Sequence, residues 1–81
     1  TIRKRAAEHR HEATDVLAAS IREGEQAQAA AEARAQRARQ EADRAKALTQ
    51  SGSMAKAQLE RAEADRDAAQ HEAASLAARN E

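Results

Sequence analysis

The sequence lacks cysteine, proline, phenylalanine, tyrosine and tryptophan, and it contains only two glycines among 81 residues. Aromatic and β-branched side chains favour strands, so their near absence excludes a strand-based fold. The absence of cysteine permits an oxidising compartment without requiring one.

Large apolar side chains are scarce as well. Only eight residues are both apolar and larger than alanine. They are Ile2, Val16, Leu17, Ile21, Leu48, Met54, Leu59 and Leu76. So short a list cannot build a compact globular core. This excludes most enzyme folds, because a catalytic or cofactor site needs an enclosed pocket lined by larger groups. We therefore expect a protein that is not an enzyme and holds no cofactor.

What the sequence does contain favours helices. Alanine accounts for 25 residues, and more than half of the others are Glu, Arg, Gln or Lys, all strong helix formers. Fourteen basic residues balance fourteen acidic ones, so the chain as a whole has no electrostatic reason to bind nucleic acid or an anionic membrane. No stretch approaches the roughly 18 apolar residues of a membrane span. We expect an all-α chain, and no direct membrane insertion by this segment.

The strongest break in the helical pattern is the run Thr-Gln-Ser-Gly-Ser at residues 49–53. Gly52 suits the left-handed residue that ends a helix, and we expect Ser51 or Ser53 to cap the next helix by accepting backbone N–H bonds. So short a connection predicts a long antiparallel helical hairpin, or coiled coil. The first helix would span about 2–49, the tip 50–53 and the second helix about 54–80. The alternative is one continuous rod that Gly52 merely weakens.

Alternating steps of four and three residues predict which face each arm turns toward the other. After the turn this seam comprises Ala55, Leu59, Ala62, Arg66, Ala69, Ala73 and Leu76. Before the turn it comprises Leu48, Ala45, Glu41, Ala38, Arg34, Ala31 and Ala27. Both seams consist largely of alanine, which allows close approach with little burial. Base-first charge pairs four residues apart should add only a few tenths of a kcal/mol each. These pairs are Lys4 with Glu8, Arg37 with Glu41, Arg39 with Asp43, Lys56 with Glu60 and Arg61 with Asp65.

The two predicted arms are unequal in length, so residues 1–22 overhang, pair with another chain or fold back at Gly24. A fold-back would give a third helix. We favour a continuous first helix with a weak point or kink at Gly24, because Glu-Gly-Glu makes a poor reversal. The overhang carries Val16, Leu17 and Ile21, which predict weak self-association. Since the chain starts at Thr1 and not at Met, we expect it to be a fragment of a longer protein.

The segment around the predicted tip resembles a known family. Residues 44–62 read RAKALTQSGSMAKAQLERA. This is similar to the hairpin tip of the membrane fusion proteins, or periplasmic adaptors, of the hemolysin-D family. That family has an Arg, a Leu one turn later, a Gly, a β-branched residue, a Ser and then Leu-Asp-x-Ala. The matching residues are Arg44, Leu48, Gly52, Leu59 and Ala62, while Met54 replaces the branched aliphatic, Glu60 the Asp and Ala55 the Ser.

The resemblance implies a function. Such adaptors lie in the periplasm, anchored in the inner membrane, and join an inner-membrane transporter to an outer-membrane channel of the TolC type in efflux or type I secretion. Their hairpins assemble, usually six together, with the tips at the channel entrance. By resemblance, Arg44 would hydrogen-bond the channel or a neighbouring hairpin through its planar fork of donors. Leu48 would be an apolar contact, and Gly52 would allow close backbone approach.

Position 55 departs from the family, because alanine has no hydroxyl. The departure predicts docking that is weaker, altered or shifted to Ser51 or Ser53, and it leaves room for an adaptor whose tip meets no outer-membrane channel. Without the resemblance, Arg44 is a solvated helix arginine, and Leu48 and Leu59 simply pack on each other.

Several rival interpretations remain. A structural coiled-coil spacer or dimerisation module explains the seams equally well and is indifferent to Arg44. A nucleic-acid clamp would use basic residues on one arm, although the fourteen acidic residues oppose phosphate binding. Those residues are Arg3, Lys4, Arg5 and Arg10, or Arg34, Arg37 and Arg39. A disordered alanine-rich chain is a further alternative. The spacing of His9, His11 and His71 does not suit a metal site, and Glu63 with Asp67 lacks the pocket that acid–base catalysis needs.

Overall fold

The computed structural model describes the backbone of residues 2–81 and the side chains of residues 12–81. It contains two helices, α1 (Ile2–Gln50) and α2 (Lys56–Arg79), joined by a turn at residues 51–55. They pack against each other as an antiparallel hairpin measuring 77 × 15 × 14 Å. The predicted all-α hairpin is confirmed. The second helix begins two residues later than expected, because the chain is still extended at Ala55.

α1 runs through Gly24 as one helix of 49 residues, so the fold-back into a third helix is wrong. The reason lies in the sequence around Gly24. The glutamates on either side are good helix formers, and no Ser, Thr, Asn or Asp follows Gly24 before Asp43 to cap a new helix. Residues 2–23, called the overhang below, extend past the end of α2. At 1.5 Å per residue the overhang is about 33 Å long.

The face of α1 that packs on α2 is a stripe of small residues. Its four buried members are between 1% and 4% exposed, and they are Ala31, Ala35, Ala42 and Ala45. The stripe continues through half-buried positions at Gly24, Gln28, Ala38 and Thr49. The predicted seam was therefore right at Ala31, Ala38 and Ala45, and its last residue, Leu48, is half-buried. It was wrong at Ala27, Arg34 and Glu41, which are exposed. A second set of α1 residues has the same alternating spacing of four and three. The helices pack through that set because it keeps the charged side chains of Arg34 and Glu41 out of the contact.

The α2 seam agrees with the prediction apart from its first residue, because Ala55 is exposed. The half-buried members are Leu59, Ala62, Arg66, Ala69, Ala73 and Leu76. Arg66 keeps its charge in this position by pairing with acids on its own helix. Its Nε donates to Asp67 Oδ1 at 3.0 Å, and its Nη2 lies 3.9 Å from Glu63 Oε2. The hydrogen bond to Asp67 raises the pKa of Arg66 above its ordinary value.

The charge pairs in the structure are not the predicted ones. Among residues 12–81, Glu41 pairs with Arg44 and not with Arg37, while Arg39 donates to Gln36 at 2.7 Å and not to Asp43. Helical side chains lean toward the N-terminus, so a basic residue reaches an acceptor that precedes it more easily than one that follows. This explains why the base-first pairs at 37/41, 39/43, 56/60 and 61/65 do not form. Lys4 and Glu8 lie outside the described side chains.

Among residues 12–81, one ion pair and the amide of one asparagine connect the side chains of the two arms. Arg34 Nη2 lies 3.0 Å from Glu72 Oε1 across the hairpin, with both side chains about half exposed. At the far end, Asn80 Nδ2 donates to Gly24 O at 2.8 Å and to Gln28 Oε1 at 2.9 Å. Because a Cβ at position 24 would lie 2.8 Å from Asn80 Oδ1, Gly24 is the residue that lets the end of α2 rest on α1.

The observed register gives a first prediction. Ala35→Gln should lower the free energy of unfolding by about 1–2 kcal/mol, because it places a polar amide in the α1–α2 contact. Ala27→Gln is the matched control, since Ala27 belongs to the predicted seam but is exposed, and its effect should stay within about 0.5 kcal/mol. Thermal unfolding followed by circular dichroism measures both. Equal effects of the two variants would contradict this register.

The contact at Gly24 gives a second prediction. Gly24→Ala should gain up to about 1 kcal/mol of helix propensity but displace Asn80 from Gly24 O. In an Asn80→Ala background the displacement no longer matters, so the same substitution should be more stabilising by about 0.5–1 kcal/mol. A double-mutant cycle on unfolding free energies measures this coupling. A coupling of zero would show that the Asn80 contact contributes nothing.

Candidate functional site at the hairpin tip

The tip begins where α1 ends in a closed left-handed turn. Gly52 has φ +80°; its N–H donates to Thr49 O at 3.1 Å, and the Ser53 N–H donates to Leu48 O at 2.8 Å. This pair of hydrogen bonds is a Schellman motif, which satisfies the last carbonyls of the helix. A Cβ at position 52 would meet no atom within 4 Å, so the backbone angle alone demands glycine here.

The two serines of the tip serve α1 and not α2. Ser51 Oγ donates to Leu48 O at 3.0 Å and lies 3.3 Å from Ser53 Oγ. The prediction that Ser51 or Ser53 caps the second helix is therefore wrong. Gly52 turns the chain between the two serines, and Met54 and Ala55 follow Ser53 before helical geometry resumes at Lys56.

Ala55 occupies the N-cap position of α2. Its backbone is extended, at φ −73° and ψ 146°, which is the usual N-cap conformation, yet its methyl group has no oxygen to accept a backbone N–H bond. Half of a capping box is present, because Gln58 Oε1 accepts a bond from the Ala55 N–H at 3.3 Å. The sequence signal for this hydrogen bond is a Gln three residues after the N-cap residue, which is the spacing of Ala55 and Gln58.

Arg44 lies two turns before the tip with its side chain 63% exposed. Its Nη1 donates to Glu41 Oε1 at 3.0 Å, an exposed contact on the same helix. Such surface pairs contribute little to stability, so the guanidinium can exchange this partner for another at small cost. The sequence pattern points to Arg44 but gives no sign of its pairing with Glu41, because the resemblance concerns the residues of the tip alone.

The three larger apolar residues of the tip, Leu48, Met54 and Leu59, are half-buried. Met54 closes one end of a shallow groove of about 530 Å³ between the arms. Alanines form its floor at Ala38, Ala45 and Ala62, and charges of both signs line its edges at Arg37, Glu41, Arg61 and Asp65. An alanine floor admits a close helical neighbour, while edges of both signs favour another mixed-charge helix over a small charged ligand.

Thr49 adds an unsatisfied group to the base of the tip. Among residues 12–81 its Oγ1 is the buried side-chain oxygen that has no hydrogen-bond partner. An unpaired buried hydroxyl costs free energy. Together with the empty cap at Ala55, it makes the tip a region that is not optimised for stability.

The residues predicted for self-association lie far from the tip. Val16, Leu17 and Ile21 are 67%, 62% and 53% exposed on the overhang, while the side chain of Ile2 lies outside the described residues. His71 is exposed on α2, whereas the side chains of His9 and His11 are not described. Within residues 12–81, no three acidic or histidine side chains gather closely enough to hold a metal ion. Neither described helix has the length and apolar character needed to cross a membrane.

The fold defines the chain as a two-helix antiparallel hairpin of the coiled-coil kind. Comparison with protein-family models, with curated proteins and with solved structures found no match in any of the three.

The empty N-cap gives a third prediction. Ala55→Ser should raise the free energy of unfolding by about 1 kcal/mol, because a hydroxyl at an extended N-cap residue accepts a bond from the first turn of the helix. Ala57→Ser, two residues later and equally exposed, is the control and should be slightly destabilising. Thermal unfolding of both variants tests this. If the Ala55→Ser variant were no more stable than the parent, residue 55 would not be the N-cap of α2.

Proposed function

We propose that this hairpin is the channel-facing part of a periplasmic adaptor of the hemolysin-D type. It acts without catalysis and links an inner-membrane transporter to a TolC-type outer-membrane channel in efflux or secretion. The observation that carries the proposal is that all the residues of the resemblance, Arg44 to Ala62, lie at one free end of a 77 Å rod. A long rod with one distinctive end suits a protein that spans a gap and makes contact at its tip.

Arg44 is the residue that we expect to contact the partner. Its guanidinium is exposed and held only by the surface pair with Glu41. An exposed arginine presents five donors in a planar fork and suits backbone carbonyls or carboxylates on a partner helix. Leu48 lies one turn nearer the tip, where its remaining exposed surface would meet the same partner.

The alanine at position 55 should affect the stability of α2 more than the docking of the tip on a partner. A serine there would stand at the N-cap of α2, where its hydroxyl bonds to the backbone of its own helix. We therefore expect Ala55 to leave the docking contacts in place. Side-by-side assembly of hairpins would use the alanine-floored groove near the tip, because small residues let neighbouring helices approach closely.

The fourth prediction tests the tip in cells that make the full-length protein. Arg44→Ala and Leu48→Ser should each abolish transport while leaving helicity unchanged, because they remove partner contacts from exposed or half-exposed positions. Arg39→Ala is the matched control for Arg44→Ala. Arg39 is also an exposed arginine of α1 with one acceptor on its own helix, Gln36, but it lies farther from the tip. Transport and crosslinking from a single cysteine at Ser53 to an outer-membrane channel provide the readouts.

A second substitution separates docking from local structure. Glu41→Gln breaks the ion pair of Arg44 but keeps the guanidinium, so transport should be unaffected. If Glu41→Gln reproduced the loss caused by Arg44→Ala, the arginine would act through its own helix. If Arg44→Ala and Leu48→Ser both transported normally, the tip would have no part in the mechanism.

A second candidate function is a structural spacer or dimerisation module. The exposed apolar residues of the overhang favour it, because they offer an association surface that does not involve the tip. Normal function of all tip variants, together with loss of function on changing Leu17 and Ile21, would support this candidate over the adaptor.

A further inference from the structure

The overhang continues the same stripe of α1 that packs on α2. Within the hairpin the stripe runs back from Thr49 to Gly24 in steps of four and three residues. The next two positions in the same spacing are Ile21 and Leu17. α2 ends at Arg79, and Asn80 binds Gly24, so the cover over the stripe stops just before its largest apolar members.

The first two uncovered positions of the stripe are more apolar than the covered part, and the same spacing then continues through Thr14, Arg10, Ala7 and Arg3. Over the hairpin the stripe is built mainly from alanine, whereas the overhang offers Leu17 and Ile21 with Val16 beside them, each more than half exposed. At the step where α2 stops, a notch of about 330 Å³ is lined by Ile21 and Glu25 on one side and Asn80 and Glu81 on the other. A helix lying along the overhang would therefore continue an interface that the fold already uses and would end at this notch.

The charges of the overhang identify the helix that fits. Residues 2–11 contain four basic residues and one acidic residue, a net charge of +3. Residues 12–23 contain three acidic residues and one basic residue, a net charge of −2. At the notch Glu25 and Glu81 outnumber the one basic residue that lines it, Arg79, by two to one. Two such segments placed antiparallel bring the basic half of each opposite the acidic half of the other. Placed parallel and in register, they bring like charges together.

We propose that two copies of the chain pair through their overhangs in antiparallel orientation, each covering the exposed Leu17 and Ile21 of the other. The partner's α1 takes the place along the stripe that α2 leaves empty, and its basic start lies at the acidic notch. The two tips then point away from each other at the ends of a rod roughly 120 Å long. The pairing uses the end of the hairpin opposite the tip. Because its two tips point in opposite directions, it competes with an assembly in which all the tips meet one channel.

The first test uses the 81-residue chain itself. Sedimentation equilibrium should show a reversible dimer at low salt that weakens at least about tenfold at 0.5 M salt, because screening removes the charge complementarity. X-ray scattering should give a maximum dimension near 120 Å for the dimer and near 77 Å for the monomer. Leu17→Ala combined with Ile21→Ala should weaken the dimer at least about thirtyfold with helicity retained. A chain that stays monomeric at millimolar concentration, or a dimer unaffected by this double substitution, would overturn the proposal.

A charge exchange tests the pairing rule. The first variant changes Arg3, Lys4 and Arg5 to Glu, and the second changes Glu12, Asp15 and Glu23 to Lys. Each alone should lose the dimer through like-charge repulsion, and a 1:1 mixture should restore it as a heterodimer. Acidic residues suit the first turn of a helix, so the first variant should keep its helicity. The control changes Lys46, Lys56 and Arg61 to Glu. These substitutions give the chain the same net charge as the first variant has, but they lie near the tip and should leave the dimer intact. Failure of the mixture to pair would contradict the proposal.

Orientation is tested separately, and a chain without cysteine makes this direct. Ala13→Cys lies near the centre of the proposed overlap and should form a disulfide-linked dimer on mild oxidation, whereas Ser53→Cys at the tip should not. Crosslinking at both positions would show a parallel pair and overturn the antiparallel arrangement. Circular dichroism of each variant distinguishes a lost dimer from an unfolded chain.

Discussion

Two helices that meet through alanine must lie close together, and this requirement governs the rest of the structure. Each alanine buries only a methyl group, so the contact is favourable only where the backbones approach along the whole stripe. A charged residue in the contact must find acidic partners at its edge, as Arg66 of α2 does with Asp67 and Glu63. The register therefore places Ala35 and Ala42 against α2 and leaves Arg34 and Glu41 outside, where Arg34 reaches across to Glu72. The same need for closeness explains Gly24, whose missing side chain admits Asn80 at the end of the contact.

The tip follows from the same geometry. Arms that lie close together need a tight reversal, and the left-handed Gly52 provides one within the Schellman motif. The serines are then used to close α1, which leaves α2 to start at Ala55 without a capping oxygen. Arg44 lies outside the stripe, so the hairpin does not use its charge for packing. A guanidinium that the fold itself does not need is a suitable element for contact with another protein.

The unequal arms connect the fold to assembly. Little apolar surface is buried between α1 and α2, while the large apolar residues that are exposed among residues 12–81 lie on the overhang. A hairpin of this kind gains stability from whatever covers that overhang. Partners at the tip and at the overhang would act on opposite ends of one rod. Antiparallel pairing through the overhang turns the second tip away from any partner that the first tip contacts.

The sequence by itself determined the secondary structure and the position of the turn. Alanine-rich composition without proline dictates helix, and a glycine between two serines dictates where it reverses, since both effects act between near neighbours in the chain. It also determined the α2 seam from Leu59 to Leu76, because the apolar spacing there is unambiguous. Only the tertiary structure decided which face of α1 packs on α2. The predicted seam and the observed stripe have the same spacing, and they differ in whether Arg34 and Glu41 or Ala35 and Ala42 face α2. It also decided that Asn80 rests on Gly24 and that Ala55 is the cap, because both depend on how the hairpin reverses and on which residues it brings together. The pair of Glu41 with Arg44 lies within one helix and follows from the direction in which helical side chains lean.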